Sequence, residues 1–182
     1  MNTTKLFLDT EFSGLHQNTS LVSLALVAED GREFYAELTD YDQTQVFPWL
    51  QDNVLSKLIL THGISFDKRE RGVYLVGTRQ HVKTHLDLWL KQFSAIEIWS
   101  DVLAYDWVLF CDLWDGARNL PSNIFYAPFD LATIFRMKGL INPISNYEMD
   151  FDRYKYAGIN GDLQHNALFD ARTELVCFSK IM

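Results

Sequence analysis

The spacing of apolar and polar residues predicts a β-rich N-terminal part of the chain. Residues 5–12 form an apolar run that ends in polar and acidic positions, and residues 20–28 are apolar almost throughout, as in a strand covered on both faces. Residues 29–32 (Glu-Asp-Gly-Arg) are typical of a hairpin turn, and residues 33–38 alternate as a third strand. We therefore expect a three-stranded antiparallel meander.

Helical spacing of apolar residues is more common in the rest of the chain. The expected helices are 47–58, 79–93, 102–115, 129–138 and 165–181, the expected strands are 95–99 and 123–127, and the expected irregular segments are 59–77 and 142–162. Strand 95–99 should pair beside the first strand. This order of elements predicts an α/β fold with a mixed central sheet and flanking helices.

Length and composition favour one compact domain over residues 1–182. The sequence has no apolar run long enough to cross a membrane and no N-terminal leader pattern, so we expect a cytoplasmic protein without a membrane partner. Cys111 and Cys177 stand alone in apolar helical patterns, which indicates reduced core thiols. The net charge of −8 argues against a general nucleic-acid coat protein, but it is compatible with an enzyme that binds a few nucleotides.

Two acidic residues close the first strand. Asp9 and Glu11 are two positions apart, so their side chains point to the same face, about 6.5–7 Å apart along the strand. Carboxylates at the end of a buried strand are costly unless something pairs with them, and a hard divalent cation is a common partner. A strand that merely runs out into a polar turn explains this pair of residues about equally well.

The last predicted helix carries a second candidate pair. Its apolar stripe runs along one face at steps of three and four, and Asp170 lies on the flank of that stripe. His165 stands at the start of the helix, five residues earlier. Taken alone, this spacing is more typical of a surface histidine and a solvated aspartate than of a functional site.

The two acidic elements together resemble a known family. Residues 9–15 (Asp-Thr-Glu-Phe-Ser-Gly-Leu) are similar to the first motif of the DEDDh branch of the 3′–5′ exonuclease superfamily, and residues 165–171 (His-Asn-Ala-Leu-Phe-Asp-Ala) to its third. That branch includes ribonuclease T, oligoribonuclease and proofreading exonucleases, and this chain looks most similar to a small bacterial exoribonuclease-like subgroup. The resemblance spans residues 7–178 and implies a ribonuclease H-like fold.

The resemblance also implies a reaction and its cofactors. It implies a 3′–5′ exonuclease that releases nucleoside 5′-monophosphates from single-stranded RNA or DNA, with RNA somewhat favoured, and a possible homodimer as in ribonuclease T. Two divalent ions, Mg²⁺ or Mn²⁺, would be held by carboxylates. Asp9 would bridge the ions, Glu11 and Asp170 would help to hold the first, and a middle aspartate would act on the second. His165 would be the general base.

The middle carboxylate has two candidates. Asp101 directly follows strand 95–99 and precedes a helical pattern, so capping that helix explains it without catalysis. Asp106 lies one turn into the helix and shares a face with Leu103 and Phe110, where a charged residue is out of place unless the site needs it. We therefore favour Asp106, and Asp101→Asn is expected to remain active.

Substrate contacts are expected from two segments. Phe12, Gly14 and Leu15 follow the acids directly, and the two apolar side chains would face the terminal bases, although Phe12 fits a core position equally well. The densest basic cluster, Lys68, Arg69 and Arg71, is a candidate for binding backbone phosphates. Arg79, Lys83, Arg153 and Lys155 are further candidates for phosphate contacts, although each alone is more typical of a solvated surface charge.

Two other functional classes remain open at this point. One is an inactive ribonuclease H-like module that only binds nucleic acid, and a metal-dependent nuclease assay would separate it from an enzyme. The other is a metal-dependent phosphohydrolase of small nucleotides, which a comparison of a short oligonucleotide with free nucleoside triphosphates would identify. No residue in the sequence identifies a contact to the RNA 2′-hydroxyl.

Overall fold

A computed structural model describes residues 3–142, 144 and 150–182. It contains a six-stranded sheet with the order β4-β3-β2-β1-β5-β6. The strands are β1 (Thr4–Phe12), β2 (Leu21–Ala28), β3 (Glu33–Leu38), β4 (Gly72–Gly77), β5 (Ile96–Ser100) and β6 (Phe129–Asp130). Strands β1, β2 and β3 pair antiparallel, whereas β3–β4, β1–β5 and β5–β6 pair parallel. The predicted meander and the pairing of β5 beside β1 are confirmed.

Helices cover both faces of this mixed sheet. They are α1 (Pro48–Asn53), α2 (Arg79–Leu90), α3 (Ala104–Asp112), α4 (Leu131–Met137), α5 (Arg153–Ala157) and α6 (Ala167–Ile181). The architecture agrees with the predicted α/β class and with a ribonuclease H-like fold. None of the helices within the described residues is both long enough and apolar enough to cross a membrane.

Alternation along β1 explains how the sheet is covered. Leu6 and Leu8 belong to the core beneath α2 and α3, whereas Phe7 points to the opposite face and packs with residues of α4 and α6. Asp9 and Glu11 lie two and four positions after Phe7, so their side chains point to the same face of the sheet as Phe7. On β2, Asp9 is paired with Ala25, which packs against α6. The acidic end of β1 is therefore directed toward α6.

Four segments differ from the sequence-based expectation. Residues 59–77 were expected to be irregular but include β4, an edge strand whose half-exposed residues lack a strong alternation. Residues 123–127 contribute one bridge, Ile124 to Ile96, and the strand that pairs with the end of β5 is β6. The expected helix 47–58 divides into α1 and a 3₁₀ turn at Leu55–Lys57.

The fourth segment is the expected irregular stretch 142–162, which contains α5. This helix begins after Asp152, whose side chain accepts a hydrogen bond from the Lys155 N–H at 3.0 Å, a common N-cap arrangement. Residues 143 and 145–149 of the same stretch lie outside the described residues. Both cysteines, Cys111 and Cys177, are free and buried, as predicted.

Candidate active site

A cavity of about 450 Å³ opens where β1 and β5 end side by side. Its walls come from β1 and the turn after it, the β5–α3 connection, α3, the start of α5 and the start of α6. The charged, aromatic and exposed apolar residues that line it are Asp9, Glu11, Phe12, Leu15, Asp101, Val102, Tyr105, Asp106, Arg153, His165 and Asp170. Five of the sequence-predicted catalytic residues therefore meet in one cavity.

Three carboxylates form the centre of the cavity. One oxygen from each of Asp9, Glu11 and Asp170 lies within 4.8 Å of the other two, close enough to share one cation. Helix α6 crosses β1 and β2, which brings Asp170 to the two acids of β1. The Oδ2 atom of Asp9 is buried and has no hydrogen-bond partner among the described residues. An unpaired buried carboxylate oxygen fits a hard cation such as Mg²⁺ or Mn²⁺.

The electrostatics of this cluster favour added positive charge. Burial raises the pKa of Asp9 well above its usual value, and repulsion from Asp170 raises it further. The same two causes raise the pKa of Glu11. Burial also raises the pKa of Asp170, although Arg153 opposes that shift. The cluster alone therefore tends to retain protons, and a bound cation would stabilise its ionised form.

Asp106 stands beside the cluster, on the opposite side of β1. Its Oδ1 atom accepts hydrogen bonds from the Thr10 N–H at 2.9 Å and the Thr10 Oγ1–H at 2.6 Å, and its Oδ2 accepts one from Ser100 Oγ at 3.2 Å. Burial raises the pKa of Asp106 to about 6, with these hydrogen bonds opposing the shift. Hydrogen bonds from β1 and β5 thus orient this carboxylate. Asp106 does not belong to the close group formed by the oxygens of Asp9, Glu11 and Asp170.

Asp101 has a different environment from the one expected. Helix α3 has Leu103 at its N-cap position, with no side-chain cap, so the interpretation of Asp101 as a helix cap is wrong. The Asp101 side chain instead forms an ion pair with Arg153, with 2.7 Å between Oδ2 and Nη1. Its backbone N–H donates to Glu174 Oε1 at 2.9 Å. Val102, between Asp101 and the N-cap residue of α3, has a φ of +55°, in the left-handed region.

His165 is held in an unusual backbone conformation. Its φ of +68° lies in the left-handed region, which costs a non-glycine residue about 1–2 kcal/mol. In this conformation its N–H donates to Asp170 Oδ2 at 2.8 Å, and its ring makes an edge contact with Trp49 at 5.5 Å between centroids. Burial lowers the pKa of His165. The imidazole is therefore neutral near pH 7 and can accept a proton.

Two functional candidates were missed in the sequence. Tyr154 donates from its hydroxyl to Asp170 Oδ1 at 3.1 Å. Glu174 is almost fully buried, and its Oε2 has no partner among the described residues. Glu174 lies three residues after Ala171 and four before Phe178, so an acid within the apolar stripe of α6 was the available signal. Tyr154 had no comparable signal, because it comes from a separate short helix.

The residues that follow the acids lie at the mouth of the cavity. Phe12 stacks against Tyr105 with 5.3 Å between ring centroids, while Leu15 is 77% exposed at the rim. Gly14 donates its N–H to Thr19 Oγ1 at 3.0 Å, within the turn that presents Leu15. This arrangement offers an aromatic wall and an exposed apolar side chain beside the acids.

The basic cluster 68–71 lies elsewhere and does not line the cavity. Arg71 is 3.8 Å from Asp30 in the β2–β3 hairpin, which is at the opposite end of the strands from the acids. Arg69 is 3.7 Å from a carboxylate oxygen of Glu33, and Lys68 lies over aromatic rings. The role of these three residues in phosphate binding stays a prediction.

Comparison with known proteins places the geometry in a family context. A family model described as the 3′–5′ exoribonuclease Rv2179c-like domain matches residues 4–182. The proteins named 3′–5′ exoribonuclease MT2234.1 and 3′–5′ exoribonuclease Rv2179c, from two strains of Mycobacterium tuberculosis, are each 34% identical to this chain over 122 residues. The matched segment covers 66% of this chain and 67% of each relative.

Proposed function

Because this chain belongs to the Rv2179c-like 3′–5′ exoribonuclease domain family, and is thus a hydrolase of the 3′–5′ exonuclease type, we propose a specific reaction for it. Residues 1–182 form a single exonuclease domain of the DEDDh branch. The domain removes nucleoside 5′-monophosphates from the 3′ end of single-stranded RNA. The observation that carries this proposal is the convergence of Asp9, Glu11 and Asp170, whose ligand oxygens lie within 4.8 Å of one another.

The carboxylates would hold two divalent ions, Mg²⁺ or Mn²⁺. Asp9, Glu11 and Asp170 suit the first ion because they offer clustered oxygens, and the buried Oδ2 of Asp9 otherwise has no partner among the described residues. Asp9 and Asp106 would hold the second ion. When bound, the ions supply positive charge to the attacking and leaving oxygens of the phosphodiester.

His165 is the general base of this proposal. His165 lines the cavity together with Asp170, and burial lowers the pKa of its imidazole, which favours the neutral form that accepts a proton from the attacking water. The hydrogen bond from its N–H to Asp170 couples the position of the base to the position of a metal ligand. Tyr154 restrains the other oxygen of Asp170. These contacts hold the base and the acids in a fixed relative geometry before substrate arrives.

The rim residues would bind the last nucleotides without reading their sequence. The wall made by Phe12 and Tyr105 is suited to stacking on a base, and Leu15 is exposed where the next base would lie. An open rim of this kind suits the end of a polymer better than a free nucleotide. Family membership likewise argues against both the non-catalytic binding module and the hydrolase of small nucleotides.

The direction and product of the reaction provide the test. RNA oligonucleotides with a free 3′-hydroxyl should be shortened stepwise, with nucleoside 5′-monophosphates as the chromatographic product. The same oligonucleotides with a blocked 3′ end should survive, and matched DNA should be digested more slowly. Digestion from the 5′ end, internal cleavage or release of 3′-monophosphates would contradict the proposal. Light scattering during size-exclusion chromatography tests the homodimer that we propose by analogy with ribonuclease T.

A further inference from the structure

We propose that Arg153 binds the scissile phosphate in the reaction cavity and that Asp101 positions its guanidinium. This inference rests on the proposed exonuclease function, because it assigns one more substrate contact to the same cavity. The juxtaposition that carries it is a half-buried arginine, anchored on a buried aspartate, in the wall of a cavity otherwise rich in carboxylates.

The backbone of Arg153 is fixed by its surroundings. It is the first residue of α5, directly after the N-cap residue Asp152. Helix α5 packs against α6, and the Arg153 carbonyl lies 3.4 Å from Cys177 Sγ, which donates to it. The arginine therefore approaches the cavity from a helix that is anchored on the helix carrying Asp170. Only 28% of its side chain is exposed, so it is not a solvated surface charge.

Asp101 fixes the guanidinium itself. Its Oδ2 lies 2.7 Å from Arg153 Nη1, and the Asp101 side chain is only 5% exposed. Asp101 is in turn held by the hydrogen bond from its N–H to the buried Glu174. A guanidinium has five N–H donors in a planar fork, so a single carboxylate oxygen cannot occupy all of them. The same fork geometry matches two oxygens of a phosphate group.

The charge of the cavity explains why a cation is needed there. Five carboxylates line the cavity. Asp101 is paired with Arg153, and the other four, from Asp9, Glu11, Asp106 and Asp170, face a substrate that is itself a polyanion. Within residues 3–142, 144 and 150–182, Arg153 is the only lysine or arginine that lines the cavity. Lys57 is close enough to lower the pKa of Glu11, but it does not line the cavity. Its Nζ donates a hydrogen bond to the Gln164 carbonyl at 2.6 Å. Arg153 is thus the side chain placed to attract a phosphate.

A purely structural role, as the counter-ion of Asp101, is the competing explanation. The two roles differ in what they do to different ligands. A phosphate contact affects binding of a nucleoside 5′-monophosphate but not binding of the same nucleoside without phosphate. A structural defect in the cavity changes both affinities together.

The test measures equilibrium binding of a nucleoside 5′-monophosphate and of the matching nucleoside by calorimetry, in Mg²⁺ and in EDTA. Arg153→Gln should weaken binding of the monophosphate by about tenfold or more, the usual size for a lost charged hydrogen bond, and change nucleoside binding less than about twofold. Arg153→Lys should lie between the two, because it keeps the charge but loses the fork. Lys155→Gln, an exposed charge on the same helix, is the control.

The role of Asp101 is tested in the same assay. Asp101→Asn should weaken monophosphate binding less than Arg153→Gln does, and should add no further loss in the Arg153→Gln background. That double variant replaces the ion pair by two neutral amides, so it also supplies the comparison if Arg153→Gln alone does not fold. The proposal would be overturned if Arg153→Gln lost the same factor of affinity for the monophosphate and for the nucleoside, or lost affinity for neither. Failure of the wild-type protein to hydrolyse RNA would instead refute the exonuclease function, and the binding preference would still be measurable.

Discussion

The backbone N–H of His165 donates a hydrogen bond to Asp170 Oδ2 at 2.8 Å, across the first turn of α6. His165 makes this contact in the left-handed conformation, with a φ of +68°. It ties the backbone of the proposed base to the side-chain carboxylate of a proposed metal ligand. The spacing of five residues thus places the N–H of His165 within hydrogen-bond distance of the Asp170 carboxylate.

His165→Ala should lower kcat by about 10²–10⁴-fold, the usual contribution of a general base. Because burial lowers the pKa of His165, the acidic limb of the wild-type pH–rate profile should have its midpoint below the usual histidine value of 6.5. The variant should lose that limb. His81→Ala, an exposed histidine on α2, should match the wild type. A variant that keeps both the rate and the acidic limb would remove His165 from the mechanism.

Asp9→Asn should stabilise the metal-free protein, by an amount that grows with pH. Because burial and Asp170 raise the folded-state pKa of Asp9 above 3.8, its destabilising effect is absent at low pH and develops as pH rises through the folded pKa. Each unit of pKa shift corresponds to about 1.4 kcal/mol, or about 3–5 °C in Tm for a chain of this size. Thermal unfolding in EDTA between pH 5 and 8 measures the effect.

The control for this experiment is Asp52→Asn, an exposed acid on α1. Its Tm should follow the wild type at every pH. Mg²⁺ should raise the Tm of the wild type more than that of Asp9→Asn, which lacks a metal ligand. A Tm of Asp9→Asn at or below that of the wild type throughout this pH range would contradict the assignment of a buried, repulsive acid cluster.

Asp106→Asn should abolish most hydrolysis while the protein stays folded. The variant keeps an acceptor for Thr10 but loses the negative charge, and above pH 6 it removes the cost of ionising a buried carboxylate. Asp101→Asn was expected from the sequence to stay fully active as a helix cap. Its ion pair with Arg153 now predicts a higher KM with a smaller effect on kcat. Steady-state kinetics of the two variants provide the comparison, and a larger kcat loss in Asp101→Asn would make Asp101 the middle carboxylate.

Leu15→Ala should raise KM for an oligonucleotide by about fourfold or more, because each CH₂ group buried against a base contributes about 0.8 kcal/mol. Its Tm should not change, since the side chain is 77% exposed in the free protein. Leu88→Ala provides a matched control, because Leu88 is 59% exposed on α2 and does not line the cavity. If Leu15→Ala and Leu88→Ala had the same KM, the substrate would not contact the turn after β1 that carries Leu15.

The parts of the molecule that could be predicted from sequence depend on regular spacing. The alternation in β1 gave the common direction of Asp9 and Glu11, and the helical stripe of α6 placed Asp170 at its flank. The edge strand β4 was missed because its residues are half exposed and their burial does not alternate. Its pairing with β3 joins segments 39 residues apart, from Glu33 to Gly72, which no local pattern encodes.

The assembly of Asp101, Arg153 and Glu174 could not be predicted for the same reason. These residues come from the end of β5, the start of α5 and the middle of α6. Asp101 alone fits a helix cap and Arg153 a surface charge, while Glu174 shows only that an acid interrupts the apolar stripe of α6. Only the packing of α5 and α6 against the sheet brings them into contact.

The most direct measurement is hydrolysis of 5′-labelled RNA by the wild type and by Asp9→Asn, in EDTA and with increasing Mg²⁺ or Mn²⁺. We expect no hydrolysis in EDTA and stepwise shortening from the 3′ end when metal is restored to the wild type. Asp9→Asn should be at least a hundredfold slower at every metal concentration, by analogy with the loss of one strong electrostatic contact of about 2.7 kcal/mol. The Asp52→Asn variant should behave as the wild type. Hydrolysis in EDTA, or near wild-type activity of Asp9→Asn at saturating Mn²⁺, would contradict the claim that these carboxylates form the metal site of the exonuclease.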